Sequence, residues 1–418
     1  MGRRHAAAVL EVLRERAAAS HETIAVQTGL SQATVSRILG RLRASGMVEF
    51  VNGGGLHDGT AYSSAAPEGS SGGESDRRRA RNGRGRPRQL VRLAPHGRLA
   101  VGIELEDSHC IAVVTDLRAR LLERVVTQPR YGTVEALTET ILEAYDGAVG
   151  DGVRDRVCSV GVGVPGVVDS AAGVLRMAPG FGAGLRDVPL AARLSERIGL
   201  PVTIANRSKA AAVGEHLYGA GRDCNHLVHV WIGFGIAAGL ILGGAPYYGT
   251  GGGAGELGHI VVEPDGPPCV CGGRGCLQAV AAGPAIARRA RERLRAGEPS
   301  VLQERFGAAL DLVDASSVIQ AAEDGDALAT SLLEEAGRYI GRGLAAAVNL
   351  LNPSRIILGG PVGQPAAPFL SGALHEELRA KTLSMPLADV RVVAGMLGED
   401  AGAIGAAAIG LRWEHVLA

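Results

Sequence analysis

Net charge is the first thing this sequence lacks. Its 418 residues carry 43 basic and 43 acidic side chains, a formal charge of zero. A uniformly neutral chain would be a poor partner for nucleic acid, but the balance is not uniform. Residues 1–98 hold 16 Arg, no Lys and 8 acidic residues, a net of +8, and the remainder carries −8. Such a split suggests a basic module that meets polyanions, joined to a body with another task. Cysteine is also scarce. Six in this length make no disulfide scaffold, and three sit together at 269, 271 and 276, which reads as metal chemistry in a reducing compartment. No secretory leader is expected, because the basic N-terminus lacks an apolar segment. The longest apolar run, Leu227–Leu242, is shorter than about 20 residues, holds His229 and is broken by Gly233, Gly235 and Gly239. It reads as strand, tight turn, strand, so no membrane span is expected and the expected location is the cytoplasm. A composition of 46% hydrophobic and 21% charged residues allows two or three domains with sizeable cores.

What is present begins with helix-turn-helix grammar. Residues 5–18 have helical apolar spacing, Ser20 caps a short helix over about 21–28, and Ser31 caps a third to about Ala44 after the Gly29-Leu30 break. Ser31, Gln32, Thr34, Ser36 and Arg37 are expected to face a major groove, with Val35, Ile38 and Leu42 toward the core. Arg41 and Arg43 are placed to reach phosphates. Strands follow at 46–51 and 89–93. The Gly/Ser/Arg-rich stretch 52–87 between them reads as an excursion from the wing. Seven Arg fall between 77 and 88, and Arg84-Gly85-Arg86-Pro87 resembles the core of an AT-hook. Arg84, Arg86 and Arg88 are therefore expected in a minor groove or on phosphates. The plainer alternatives are a three-helix bundle and a solvated linker.

From Leu99 strands alternate with helices, which argues for an α/β body. Three consecutive strands at 101–105, 110–116 and 121–128 are followed by a helix at 133–149 and a strand at 157–164. Helices are expected at 188–198, 207–218, about 283–296, 315–323 and 326–350, with strands at 201–205, 355–358 and 390–394 and a closing helix from 401. The strongest chemical signal lies at 255–278. His259, Cys269, Cys271 and Cys276 supply one imidazole and three sulfurs, a soft set suited to a closed tetrahedral structural zinc. Three buried free cysteines are the alternative. Cys110, Cys158 and Cys224 read as core.

These motifs together resemble the ROK (repressor, open reading frame, kinase) family, and in particular its NagC/XylR-like transcriptional regulators. The marks are Gly161-Val-Gly-Val-Pro-Gly-Val-Val-Asp169, Asn206, Glu256-Leu-Gly-His259, the cysteine loop and Ile356-Ile-Leu-Gly-Gly360. The resemblance implies a winged helix-turn-helix at 1–95 followed by a two-lobed actin-like (sugar kinase/ribonuclease H-like) fold. A smaller lobe at 96–205 would be closed by helix 401–415, and a larger lobe at 206–400 would hold the zinc loop and a dimer interface. It also implies a homodimer or homotetramer, an operator in double-stranded DNA and a sugar in the cleft. Adjacent sugar hydroxyls need paired donors and acceptors on fixed backbone. Asn206, Arg207, Glu256, His259 and Gln278 are the expected partners, with Gly166 allowing close approach. If His259 held zinc through one ring nitrogen, the other could donate to a hydroxyl. Buttressing of the zinc loop is the plainer role for Glu256 and His259.

The departures from the family's kinases are as informative. Those kinases carry an Asp general base directly after the Asn; here Arg207 stands there and cannot accept a proton. Their first phosphate loop, Asp-x-Gly-Gly-Thr, is replaced by Glu104-Leu105-Glu106-Asp107-Ser108, whose acids repel a nucleotide. The second loop reads Gly233-Phe234-Gly235-Ile236-Ala237, without its hydroxyl. Gln278 replaces a sugar-binding Glu, and Gly180 an Asn. No catalytic residue and no enzymatic activity are therefore expected. Arg207 either pairs with Glu104, Glu106 or Asp107, or receives the anionic group of a sugar derivative. The reading is a DNA-binding regulator, expected to be a repressor of carbohydrate genes under allosteric control by a sugar. The alternatives are an active or bifunctional sugar kinase, or a regulator that has lost its sugar.

Overall fold

The computed structural model describes residues 2–16, 18–52, 89–95, 97–182 and 184–411. The segment holding Arg84, Arg86 and Arg88, and positions 412–415 of the expected closing helix, lie outside them. Packing divides the chain into two units, with the boundary between Arg98 and Leu99.

The first unit runs α1 (Gly2–Glu15), β1 (Ala19–Ser20), α2 (His21–Thr28), α3 (Gln32–Ala44), β2 (Val48–Asn52) and β3 (Gln89–Leu93). The first helix stops short of the expected residue 18 because Ala19 and Ser20 pair with Val91 and Leu90 of β3. Strand β3 is central, with β2 antiparallel on its other side. Both expected caps form. Ser20 Oγ accepts from the Thr23 amide at 3.1 Å, and Ser31 Oγ from that of Thr34 at 3.3 Å. Gly29 closes α2 at φ +67°, a left-handed backbone that a side chain would oppose. Leu10, Leu13, Ile24, Val35, Ile38, Leu39 and Leu42 are buried, which leaves one face of α3 outward.

In the second unit, β4 (Leu99–Leu105), β5 (Cys110–Asp116) and β6 (Leu121–Thr127) form the three expected strands. Next come α4 (Val134–Ala148), β7 (Val157–Val164) and a small antiparallel ribbon of β8 (Val167–Asp169), β9 (Val174–Met177) and β10 (Arg186–Val188). Then α5 (Leu190–Ile198), β11 (Val202–Asn206) and α6 (Arg207–Tyr218) follow. The second half holds β12 (His226–Ile232), β13 (Ile236–Leu242), β14 (Ala245–Pro246), α7 (Leu277–Ala281), α8 (Gly283–Arg295), α9 (Val301–Phe306), α10 (Ala315–Glu323) and α11 (Ala327–Leu351). The chain closes with β15 (Arg355–Gly359), α12 (Gly360–Gly363), α13 (Ala367–Lys381), α14 (Ser384–Ala388), β16 (Arg391–Ala394) and α15 (Ala401–Gly410).

The two five-stranded sheets share one plan. Each has an antiparallel meander followed by two parallel strands, in the orders β6-β5-β4-β7-β11 and β14-β13-β12-β15-β16. This doubling is the actin-like architecture expected. All seven residues of β4 are buried, because helices cover both faces of its sheet. One cover is α15, which packs on β4, β7 and α6. Its small residues allow the approach: a Cβ on Gly161 would lie 1.7 Å from the Ala406 carbonyl oxygen, and one on Gly405 1.8 Å from that of Ala210. Several elements lie outside the expected set, the ribbon β8–β10 and α13 among them. The ribbon is built of strands too short to show a period, and α13 follows the helix-disfavouring Gly359–Pro368 stretch. Its buried Leu370, Ala373, Leu374 and Leu378 nevertheless keep helical spacing.

Candidate functional site

Helix α3 presents its outward face in the first unit. Gln32, Ser36, Arg37, Arg41 and Arg43 are exposed there. The Arg43 guanidinium lies 5.1 Å over the Phe50 ring, whose own plane stacks with His21. Ser31 and Thr34, expected to face a groove, also have a local role at the helix start. Their hydroxyls bond each other at 3.0 Å while Ser31 caps the helix, and Thr34 is half-buried.

In the second unit the start of α6 sits beside the Glu104–Ser108 turn. Asn206 is the helix cap: its Oδ1 accepts from the Ser208 and Lys209 amides, and its Nδ2 donates to the Gly166 carbonyl at 2.7 Å. Gly166 has φ +90°, and a Cβ on it would lie 2.1 Å from the Met177 carbonyl oxygen. Its close approach is thus to the ribbon backbone. Arg207 is 8% exposed. Its Nη1 donates to Glu106 Oε2 at 2.8 Å and to the Leu105 carbonyl at 3.3 Å, its Nη2 reaches Asp107 Oδ2 at 3.3 Å, and its Cζ lies 3.8 Å from the Trp231 ring centre. Of the two roles open to Arg207, the geometry is that of the ion pair.

Glu104 does not touch Arg207 directly, and its Oε2 is buried without a partner. Burial, and then the neighbouring Glu106 charge, push its carboxyl well above the usual range. It occupies the space beside Gly402, where a Cβ would lie 2.0 Å from Glu104 Oε1. Glu104, Glu106, Trp231, Gly360, Glu399 and Gly402 are among the residues lining a cavity of about 20 Å³, room for about one water. Glu104 and Glu106 thus form part of this cavity's wall.

Sequence reasoning missed Lys209. It is 4% exposed, its Nζ donates to the Gly252 carbonyl, and Glu256 is the charge that stabilises its ammonium against burial. It is one of only two lysines in the chain, which was the available signal. Glu256 itself is exposed, one residue before the 3-10 turn Leu257–His259.

His259, Cys269, Cys271 and Cys276 bring their ligand atoms within 4.8 Å of one another. Cys271 and Cys276 sulfurs are 3.7 Å apart, and Cys269 Sγ is 3.8 Å from His259 Nδ1. Bonds of about 2.3 Å (sulfur) and 2.1 Å (nitrogen) around one tetrahedral ion give separations of that size, so the set fits zinc. The Gly273 amide draws the Cys271 thiol down to about 7, while burial pushes Cys276 up to about 12. A cation bound among them would favour the thiolate form of both. Gln278 donates from Nε2 to Cys269 Sγ at 3.4 Å, so its amide supports the cysteine cluster. The remaining His259 nitrogen, Nε2, is not the one turned to Cys269.

Comparison with known proteins agrees with this division. Residues 4–51 match the IclR helix-turn-helix domain, and residues 100–412 match the ROK family. The chain is 34% identical to a glucokinase of Thermotoga maritima over 310 residues, 74% of this chain and 93% of the enzyme. It is 29% identical over 331 residues to the DNA-binding transcriptional dual regulator NagC of Escherichia coli K12, 76% of this chain and 78% of that one. A crystal structure of a ROK family transcriptional regulator, a homologue of the E. coli MLC protein, superposes with TM-score 0.79 at 25% identity, covering 100% of this chain and 97% of that one. The winged module and the doubled-sheet body with its cysteine loop thus lie on one chain, which belongs to the ROK family.

Proposed function

We propose that the protein is a sequence-specific transcriptional regulator, acting as a repressor, whose body binds a sugar and transfers no phosphate. The observation that carries this is the environment of Arg207. At the position where the family's kinases hold a base, a buried guanidinium is paired with Glu106 and Asp107. Arg207 itself cannot accept a proton, and the acid-lined cavity beside Glu104 is unsuited to a phosphate. The regulator relative and the exposed arginines of α3 support the DNA half of the reading. In it, Gln32, Ser36 and Arg37 read base edges while Arg41 and Arg43 hold phosphates. Arg84, Arg86 and Arg88 add contacts from the wing.

In the body, Glu256 and His259 Nε2 serve as partners for sugar hydroxyls. His259, Cys269, Cys271 and Cys276 hold a structural zinc that fixes the His259 ring. The protein works as a dimer or tetramer. Sugar favours one lobe arrangement by its differential affinity and so alters the spacing of the paired winged helices. No helix among the described residues is long and apolar enough to cross a membrane.

Genome-wide footprinting with and without sugars tests this reading. Discrete palindromic sites that weaken with one sugar are expected; binding without sequence preference overturns it. The glucokinase relative keeps a second reading in view. ATP-dependent phosphorylation of any hexose by the purified chain would establish the kinase, and its absence supports the regulator. Elemental analysis should find one zinc per chain, lost in Cys276→Ser.

A further inference from the structure

The start of α6 carries two buried cations, and both are already neutralised. Arg207 has both terminal nitrogens bonded, to Glu106, Asp107 and the Leu105 carbonyl, and Trp231 lies against its guanidinium plane. Lys209 is buried against the Gly252 carbonyl with Glu256 as its counter-charge. Glu106 and Asp107 bond Arg207, Glu256 is the charge near Lys209, and the charge of Arg207 also acts on Glu104. Even with Glu104 protonated, three negative charges face two positive ones. An arriving phosphate would have to displace a carboxylate from a buried guanidinium and then remain beside it. A hydroxyl needs no such exchange, since exposed Glu256 can accept two of them.

We infer that the cleft selects a sugar without an anionic group, and that a phosphate or carboxylate on the ligand is rejected at the Arg207 end. This rests on the sugar-binding reading above and names the ligand class. Like charges brought together in a site of low dielectric are a strong means of refusing a wrong ligand. The Arg207 cluster then acts as a filter: it keeps an intracellular sugar phosphate from being mistaken for the free sugar.

The test is calorimetry and thermal shift on the full chain with a charge series on one carbon skeleton: D-glucose, D-glucosamine, D-gluconate and D-glucose 6-phosphate. The same is done with D-xylose, D-xylonate and D-xylose 5-phosphate, and with N-acetyl-D-glucosamine and its 6-phosphate. The uncharged or amino form of one skeleton should bind at least tenfold more tightly than its anionic forms. Asp107→Asn, at a side chain 34% exposed, frees part of the guanidinium and should narrow that gap at least tenfold. Glu106→Gln with Asp107→Asn should narrow it further, with DNA binding reporting that both variants fold. A wild-type preference for the phosphate or the acid overturns the inference and leaves the sugar reading standing. A gap unmoved in both variants overturns the filter. Absence of binding by every sugar in the series overturns the sugar reading and this inference with it.

Discussion

Arginine appears in two opposite settings in this molecule. On α3, Arg37 and Arg41 extend into solvent from a helix face with no carboxylate of its own, since Gln32–Ala44 contains no acid. At the start of α6, Arg207 is buried between Glu106 and Asp107. The side chain is the same, but its availability is not. An exposed, uncompensated guanidinium keeps its attraction for a polyanion and releases counterions on binding. A buried, paired one has exchanged that capacity for compensation of its own desolvation. Partners therefore matter more than charge in deciding which arginines meet a ligand.

The comparison breaks most visibly at Arg207. Arg207→Ala removes the cation from buried acids and should cost about 3–5 kcal/mol in chemical denaturation. Adding Glu106→Gln and Asp107→Asn should recover most of it. A single variant as stable as wild type would show that the pair contributes nothing to the fold. His229 comes next, as a further deeply buried basic group. Both its ring nitrogens are unpartnered, and burial lowers its pKa from 6.5 to about 4. Because the folded value lies below the unfolded one, its share of stability is complete above about pH 6.5 and is lost as pH falls toward 4. The loss should approach roughly 3 kcal/mol by pH 4 and vanish in His229→Leu, a difference that denaturation at pH 7 and pH 4.5 would expose.

On α3 the expected effects fall on binding. Arg37→Ala should weaken the operator by about 1–3 kcal/mol and relax preference at one base pair, with stability within about 0.5 kcal/mol. Arg41→Ala should weaken all sequences alike and reduce the salt slope by about one. Titration against single-base-pair operator variants at several salt concentrations separates these two roles, and identical profiles would contradict them.

The smallest effect is expected at Glu104. Its folded pKa is raised, so protonated Glu104 favours the fold below the ordinary carboxylate range, and that share is lost as pH rises through the raised value. Glu104→Gln keeps the shape without the ionisation. It should raise the melting temperature by a few degrees at pH 8–9 and by less at pH 5, and an equal shift at both would deny the titration.

The fold was legible wherever its signals were local. Caps at Ser20 and Ser31, the left-handed Gly29, the three strands from Leu99 and the 25-residue helix α11 all follow from spacing and turn chemistry. The ribbon β8–β10 and helix α13 were not read, because short strands carry no period and glycines with proline mask a helix start. In the site, the cysteine loop was legible because three of its cysteines lie within eight positions of one another. Gln278 and Asn206 are expected at a sugar, and the structure shows local partners for both, Cys269 for one and the start of α6 for the other. Hydrogen-bonding side chains carry no mark of which partner they will choose.

Sequence alone determined the two-part organisation, the alternation of elements, the His/Cys loop and the residue types at Arg207 and Glu104–Ser108. These depend on residue type and short spacing, which chemistry constrains directly. Tertiary structure decided that Arg207, more than a hundred positions from Leu105 by fold alone a neighbour, is closed off by Glu106, Asp107 and Trp231. It also decided that Lys209 is buried against Gly252. A charge's fate depends on what surrounds it in three dimensions, and those neighbours come from strands and helices far apart along the chain.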